Sequence, residues 1–263
     1  MSLLLRAFRA EWLKLRRSLT GWAILAGGCF TPVIMLAVRL HNRQATAAMH
    51  ASGTYWRRHW LESWESIAVL ILPLLLILVV TLVTHLEHRH NTWKQLHATP
   101  VPLTTIFAAK LGVLLVLLLE IFVVVNGGLL VAGALPLRWI VGTWMPQGRF
   151  LDLALLRWNA RFFLDCLPVV GLQMALTLRS RNVLVPLGAG VLAWIVALVV
   201  IKSRYIAAVP HGYLAVDYLI VAGHRAEGSL IAPPPLLALA AFALFVIAGC
   251  AIYVRAADRG EAA

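Results

Sequence analysis

No GxxxxGKS or GxxxxGKT loop occurs anywhere in the 263 residues, so the chain carries no backbone cradle of its own for nucleotide phosphates. Cysteine is scarce. The three present, Cys29, Cys166 and Cys250, stand singly inside apolar runs, which excludes CxxC redox or zinc chemistry and leaves packing as their role. No HExxH or HxxEH helix pattern occurs either.

What the sequence does have is apolar residue, at 61% of the chain and a mean hydropathy of +0.85. That is more than one soluble core needs, and it makes the bilayer the solvent. A helix needs about 20 mostly apolar residues to cross about 30 Å of hydrocarbon. Six stretches qualify: 19–38, 67–86, 106–134, 162–178, 183–201 and 236–254. The expected fold is therefore all-α and integral to the membrane, a single domain over 1–263 with six transmembrane helices. The first run is longer than a signal-peptide core and has no small-x-small site after Val38, so it is expected to remain in the mature chain.

An even number of spans puts both termini on one side. The basic residues Arg6, Arg9, Lys14, Arg16 and Arg17 before the first run, with the tight turn Arg179-Ser180-Arg181, place that side in the cytoplasm. The net charge of +12 is spread over both faces, which argues against nucleic acid as a partner. Before the first run, Leu4, Phe8, Trp12, Leu15 and Leu19 recur at helical spacing while Arg6, Arg9, Arg16 and Arg17 fall off that stripe. This is either an interfacial helix lying on anionic membrane lipids or a plain topogenic cluster; the periodicity favours the helix.

Between the second and third runs lies HLEHRHNTWKQLHATPVPLTTIFAAK, His85 to Lys110. Glu87, Arg89 and Lys94 keep it in water, Trp93 and Leu96 give a short apolar face, and Pro100 with Pro102 turn the chain back. A bend of this kind at the mouth of a membrane domain suits contact with a soluble partner. His85 and His88 share a helix face, but the spacing matches no metal motif, and a solvated, headgroup-contacting surface accounts for His85, His88, His90 and His97 better than a metal site.

That segment resembles the permease subunits of ABC-2-type ABC exporters: a Glu after the second span, a Trp-Lys-Gln stretch, a Thr-Pro-Val-Pro turn, and a Lys entering the third span. The segment LTLRSRNVLVPLGAGV, Leu176 to Val191, is similar to the turn between the fourth and fifth spans in the lantibiotic-immunity and bacitracin-resistance branch. The resemblance implies a six-span half-channel working as a homodimer or with a related second permease. ATP and Mg²⁺ would sit on a separate ABC ATPase subunit, and this chain would bind no cofactor. It further implies that Glu87, Arg89, Asn91, Trp93, Lys94 and Gln95 couple to the ATPase, with the helix bearing Arg6, Arg9, Trp12 and Lys14 bracing them. The location implied is the bacterial cytoplasmic membrane. The cargo implied is an amphipathic compound such as an antimicrobial peptide, a drug or a lipid-like molecule, which would confer antibiotic or bacteriocin resistance.

Three polar positions lie at membrane depth: Glu120, Asn126 at the head of an Asn-Gly-Gly break, and Asp165. A carboxylate there costs about 2.5–3.5 kcal/mol on insertion scales, so it faces protein or water. Glu120 either lines the translocation path or dimer interface or fixes helix packing. Gly27-Gly28, Gly127-Gly128 and the 188–190 triplet suit close helix approach, and Pro32, Pro73, Pro168 and Pro186 free carbonyls that neighbours must satisfy. Outside, Trp56, Trp60 and Trp64 form a helical stripe suited to the outer headgroup zone, and 213–222 is apolar but too short to span. A lipid-modifying enzyme would need a convergent catalytic set, and a gradient-driven transporter paired broken spans in inverted halves. The sequence displays neither.

Overall fold

A computed structural model describes residues 3–15, 18–89, 101–143, 152–180, 182–226 and 230–258. Every regular element among them is helical. In chain order these are α1 (Leu3–Leu15), α2 (Thr20–His41), α3 (Arg43–Ala51), α4 (Tyr55–Ser66), a π turn (Ile67–Ile71), α5 (Leu72–Arg89) and α6 (Leu103–Ile140). After them come α7 (Leu153–Arg179), α8 (Leu184–Val200), two 3₁₀ turns (Arg204–Ala208 and Pro210–Gly212), α9 (Tyr213–Val221) and α10 (Pro234–Asp258).

Among the described residues, five helices are long and apolar enough to cross a bilayer: Thr20–His41, Tyr55–Leu86, Leu103–Ile140, Leu153–Arg179 and Pro234–Arg255. The remaining apolar run, 183–201, folds as α8, whose 17 residues extend about 26 Å, a little short of the hydrocarbon thickness. α8 lies antiparallel to the second span, since Gly190 meets Ile77 of α5 while Trp194 reaches back to Val69 of the π turn. α6, at 38 residues, is the longest element and runs about 57 Å. It passes unbroken through Asn126-Gly127-Gly128, where the sequence suggested a break. The Asn126 amide spans one turn to the Phe122 carbonyl and leaves the backbone ladder intact.

Lipid is as apolar as leucine, so helices in a membrane associate through close packing and polar links rather than hydrophobic transfer. α2 and α6 show the first. A Cβ at Gly28 would lie 2.8 Å from the Val124 side chain, and one at Gly128 would lie 2.8 Å from Pro32, so only glycine permits this approach. α5 and α8 show the second. Pro73 has no N–H to offer the carbonyl of Val69 one turn back, and the Trp194 indole donates to that carbonyl at 2.9 Å instead. Gln173 on α7 donates to both Thr81 Oγ1 at 2.7 Å and the Pro186 carbonyl at 2.8 Å, tying α5, α7 and α8 together.

The tryptophan stripe on α4 is helical but faces the protein interior rather than the outer headgroups. Trp60 and Trp64 are fully buried, with the Trp64 and Phe162 rings 4.9 Å apart and Trp60 5.3 Å from Trp158. The stripe continues without interruption into the second span, so its aromatic faces close the core between α6 and α7.

Candidate functional site

Asn126 on α6 lines an open groove of about 560 Å³ between α6 and α7, and Glu120 follows the lining residue Leu119 on the same helix. Leu119, Phe122, Val123, Leu156 and Phe163 make its walls apolar. Its polar feature is an amide pair: Asn126 Nδ2 donates to Asn159 Oδ1 at 2.9 Å, and each amide is held in place by a bond to the carbonyl one turn before it, of Phe122 and Leu155. Asn159 escaped sequence reasoning. The available signal was its position on the same face of α7 as Leu155 and Leu156, an amide among apolar neighbours. Glu120 is exposed, as are Val116, Leu119 and Val123 around it, so a carboxylate stands on an otherwise apolar helix face.

Asp165 is placed elsewhere. It is fully buried on α7 against Asp217 of α9, and the structure does not bring it to Glu120 or Asn126. The 213–222 segment is the nine-residue α9, buried along 213–218 against α7 and α10.

At the opposite end of α6 the N-terminal helix docks. Phe8 and Leu15 of α1 pack on the core, and a Cβ at Gly112 would lie 3.4 Å from the Phe8 ring. Between them on the same face sits Glu11, whose Oε2 accepts from Lys110 Nζ at 3.0 Å, while Lys14 Nζ reaches Oε1. Lys110 is 1% exposed, so the pair is a desolvated link between α1 and α6. Arg6 and Arg9 stay exposed, and Trp12 is exposed with its ring stacked on Phe8. One face of α1 is thus held by protein, leaving Leu4, Leu5 and Leu13 exposed on the remainder.

Of the residues expected to couple, Glu87 and Arg89 belong to the last turn of α5, and Asn91, Trp93, Lys94 and Gln95 lie outside the described residues. His85 is half-buried near the end of α5, His88 belongs to its last turn, and His90 and His97 also lie outside the described residues.

A family model described as ABC-2 family transporter protein matches residues 7–209, from α1 to the first 3₁₀ turn after α8. No curated protein and no solved structure matches the chain.

Proposed function

The chain belongs to the ABC-2 transporter family, and from that premise we propose that it is the permease subunit of an ATP-driven exporter, powered by a separate ABC ATPase subunit. The observation that carries this reading is a family match spanning α1 to α8 in a chain with no phosphate-binding loop. ATP and Mg²⁺ act on the partner, at a distance from any residue of this chain.

The ATPase pushes on the 87–97 segment, through Glu87, Arg89, Asn91, Trp93, Lys94 and Gln95. The Glu11–Lys110 link supports this route, because it fastens α1 to the first turns of α6, directly after that segment. α1 and the start of α6 then move together on the cytoplasmic side of the bacterial inner membrane, where both termini lie.

A second permease, identical or related, covers the exposed Glu120 face. Leaving that carboxylate in lipid would cost about 2.5–3.5 kcal/mol, whereas a subunit interface or water-filled path removes the cost. The groove beside it takes the apolar portion of an amphipathic cargo, the Asn126 and Asn159 amides its polar groups, and Glu120 a cationic group. Peptide antibiotics, drugs and lipid-like compounds share that chemistry.

The test is co-purification of an ABC ATPase subunit with the permease from its native host, then reconstitution and measurement of vanadate-sensitive hydrolysis and cargo release. Transport by the permease alone would overturn the reading. Full transport by a well-expressed Glu120→Gln variant would remove Glu120 from the path.

A further inference from the structure

Asp165 and Asp217 meet where α7 and α9 pack together, both fully buried. Arg161, one turn before Asp165 on α7, holds both oxygens of Asp217, with Nε donating to Oδ2 at 3.1 Å and Nη2 donating to Oδ1. Neither oxygen of Asp165 has a donor within reach among the described residues. Two carboxylates and one guanidinium leave a net negative charge in the interior, and like charges at contact cannot both stay ionised there. Asp217 is already satisfied as the acceptor of the guanidinium. Asp165 has no donor on either oxygen, and the nearby Arg161 guanidinium is already bonded to Asp217.

We propose that Asp165 and Asp217 form a proton-binding site, in which Asp165 is a neutral carboxylic acid that donates its O–H to Asp217. The proton turns an acceptor facing an acceptor into a donor facing an acceptor, and it brings the cluster to zero net charge. Held this way, α9 is pinned to α7. Loss of the proton sets two negative charges against each other across the α7 and α9 contact.

The other groups facing the cluster do not supply this charge balance. Cys166 on α7 and Tyr213 on α9 are neighbours of Asp165. His211, in the 3₁₀ turn packed on both helices, is buried with neither ring nitrogen bonded. Glu62 and Glu65 of α4 approach α9 at Tyr218 and add only negative charge. The π turn is apolar, and Arg255 lies at the far end of α10, beyond the Gly249 contact with Ala175. Among the described residues, Arg161 is the one cation bonded to the cluster.

The test uses the full-length protein in detergent, with thermal unfolding followed from about pH 6 to about pH 10 and infrared spectra of aspartate-labelled protein. Wild type is expected to show a labelled carboxylic C=O stretch at neutral pH that shifts in D₂O, and to lose several degrees of unfolding temperature at the alkaline end. Asp165→Asn, neutral and still a donor, should match wild type at neutral pH, lack that band and lose the alkaline fall. Asp165→Ala should be less stable throughout. Absence of the labelled band in wild type overturns the proposal whether or not the variants fold. So does an Asp165→Asn as unstable as Asp165→Ala. A rise in unfolding temperature when sodium replaces N-methylglucamine at constant ionic strength would show a metal cation in place of the proton, and would also overturn it.

Discussion

Glu11 of α1 and Lys110 of α6, 99 positions apart in the chain, form an ion pair at 3.0 Å with side chains 7% and 1% exposed. Removing one partner of a buried pair costs about 3–5 kcal/mol, whereas replacing both with apolar side chains is often neutral. Glu11→Leu is therefore expected to lower the thermal stability of the purified protein strongly. Lys110→Met should cost less, because Lys14 still pairs with Glu11. Most of the Glu11→Leu loss should return in the double variant Glu11→Leu/Lys110→Met. Equal losses in Glu11→Leu and the double variant, read by unfolding in detergent, would show that the two residues are not coupled.

The Trp194 bond to the Val69 carbonyl makes a second expectation. Trp194→Phe keeps the ring but leaves a carbonyl freed by Pro73 without its donor, at a cost of about 1–3 kcal/mol. Pro73→Ala restores a backbone N–H in that position. Combined with Trp194→Phe, it should recover part of the loss, and a double-mutant cycle on unfolding temperature measures the coupling. Strict additivity would show that the indole bond does not substitute for the missing N–H.

Gly133 on α6 faces α4, where an added Cβ would lie 2.5 Å from the Trp56 ring. Its carbonyl also accepts from Tyr55 Oη at 2.8 Å, and the neighbouring Leu129 carbonyl bonds His59 Nε2 at 3.1 Å. Any displacement of α4 to make room strains those bonds, so Gly133→Ala should destabilise by about 1–3 kcal/mol. Gly127→Ala, one turn and a half away with open space at its Cβ, is the matched control and should be near neutral. Indistinguishable unfolding temperatures for the two variants would contradict the steric reading.

The helices were legible in the sequence because apolar length is a strong signal; the polar contacts between them were not. Glu11 follows Phe8 by three residues and precedes Leu15 by four, which puts it on the apolar stripe of α1, and that was the available clue to its burial. Asp217 is likewise a lone carboxylate in an apolar stretch. Its partner Arg161 is 56 residues away, a distance no local pattern encodes. Trp56, Trp60 and Trp64 misled for a related reason. Indoles at helical spacing suit a headgroup belt and a packed core equally, and only the continuity of α4 with the second span places them in the core.

His211 supplies the pH dependence on the acid side. Burial in the 3₁₀ turn before α9 pushes its imidazole down to about 4 from the ordinary 6.5, with neither nitrogen bonded. The unfolded chain therefore binds a proton that the folded chain refuses between these two values. Stability is complete above about pH 6.5 and falls as the pH drops, reaching a loss of about 3 kcal/mol below about pH 4. His211→Phe, which keeps a ring of similar shape and cannot take a proton, should make this limb of the unfolding curve shallower and leave neutral stability close to wild type. Asp165→Asn should leave the same limb unchanged, since it acts at alkaline pH. A variant curve that still falls between pH values of about 6.5 and 4 would assign the acid sensitivity to another histidine, with the fully buried His59 the first candidate.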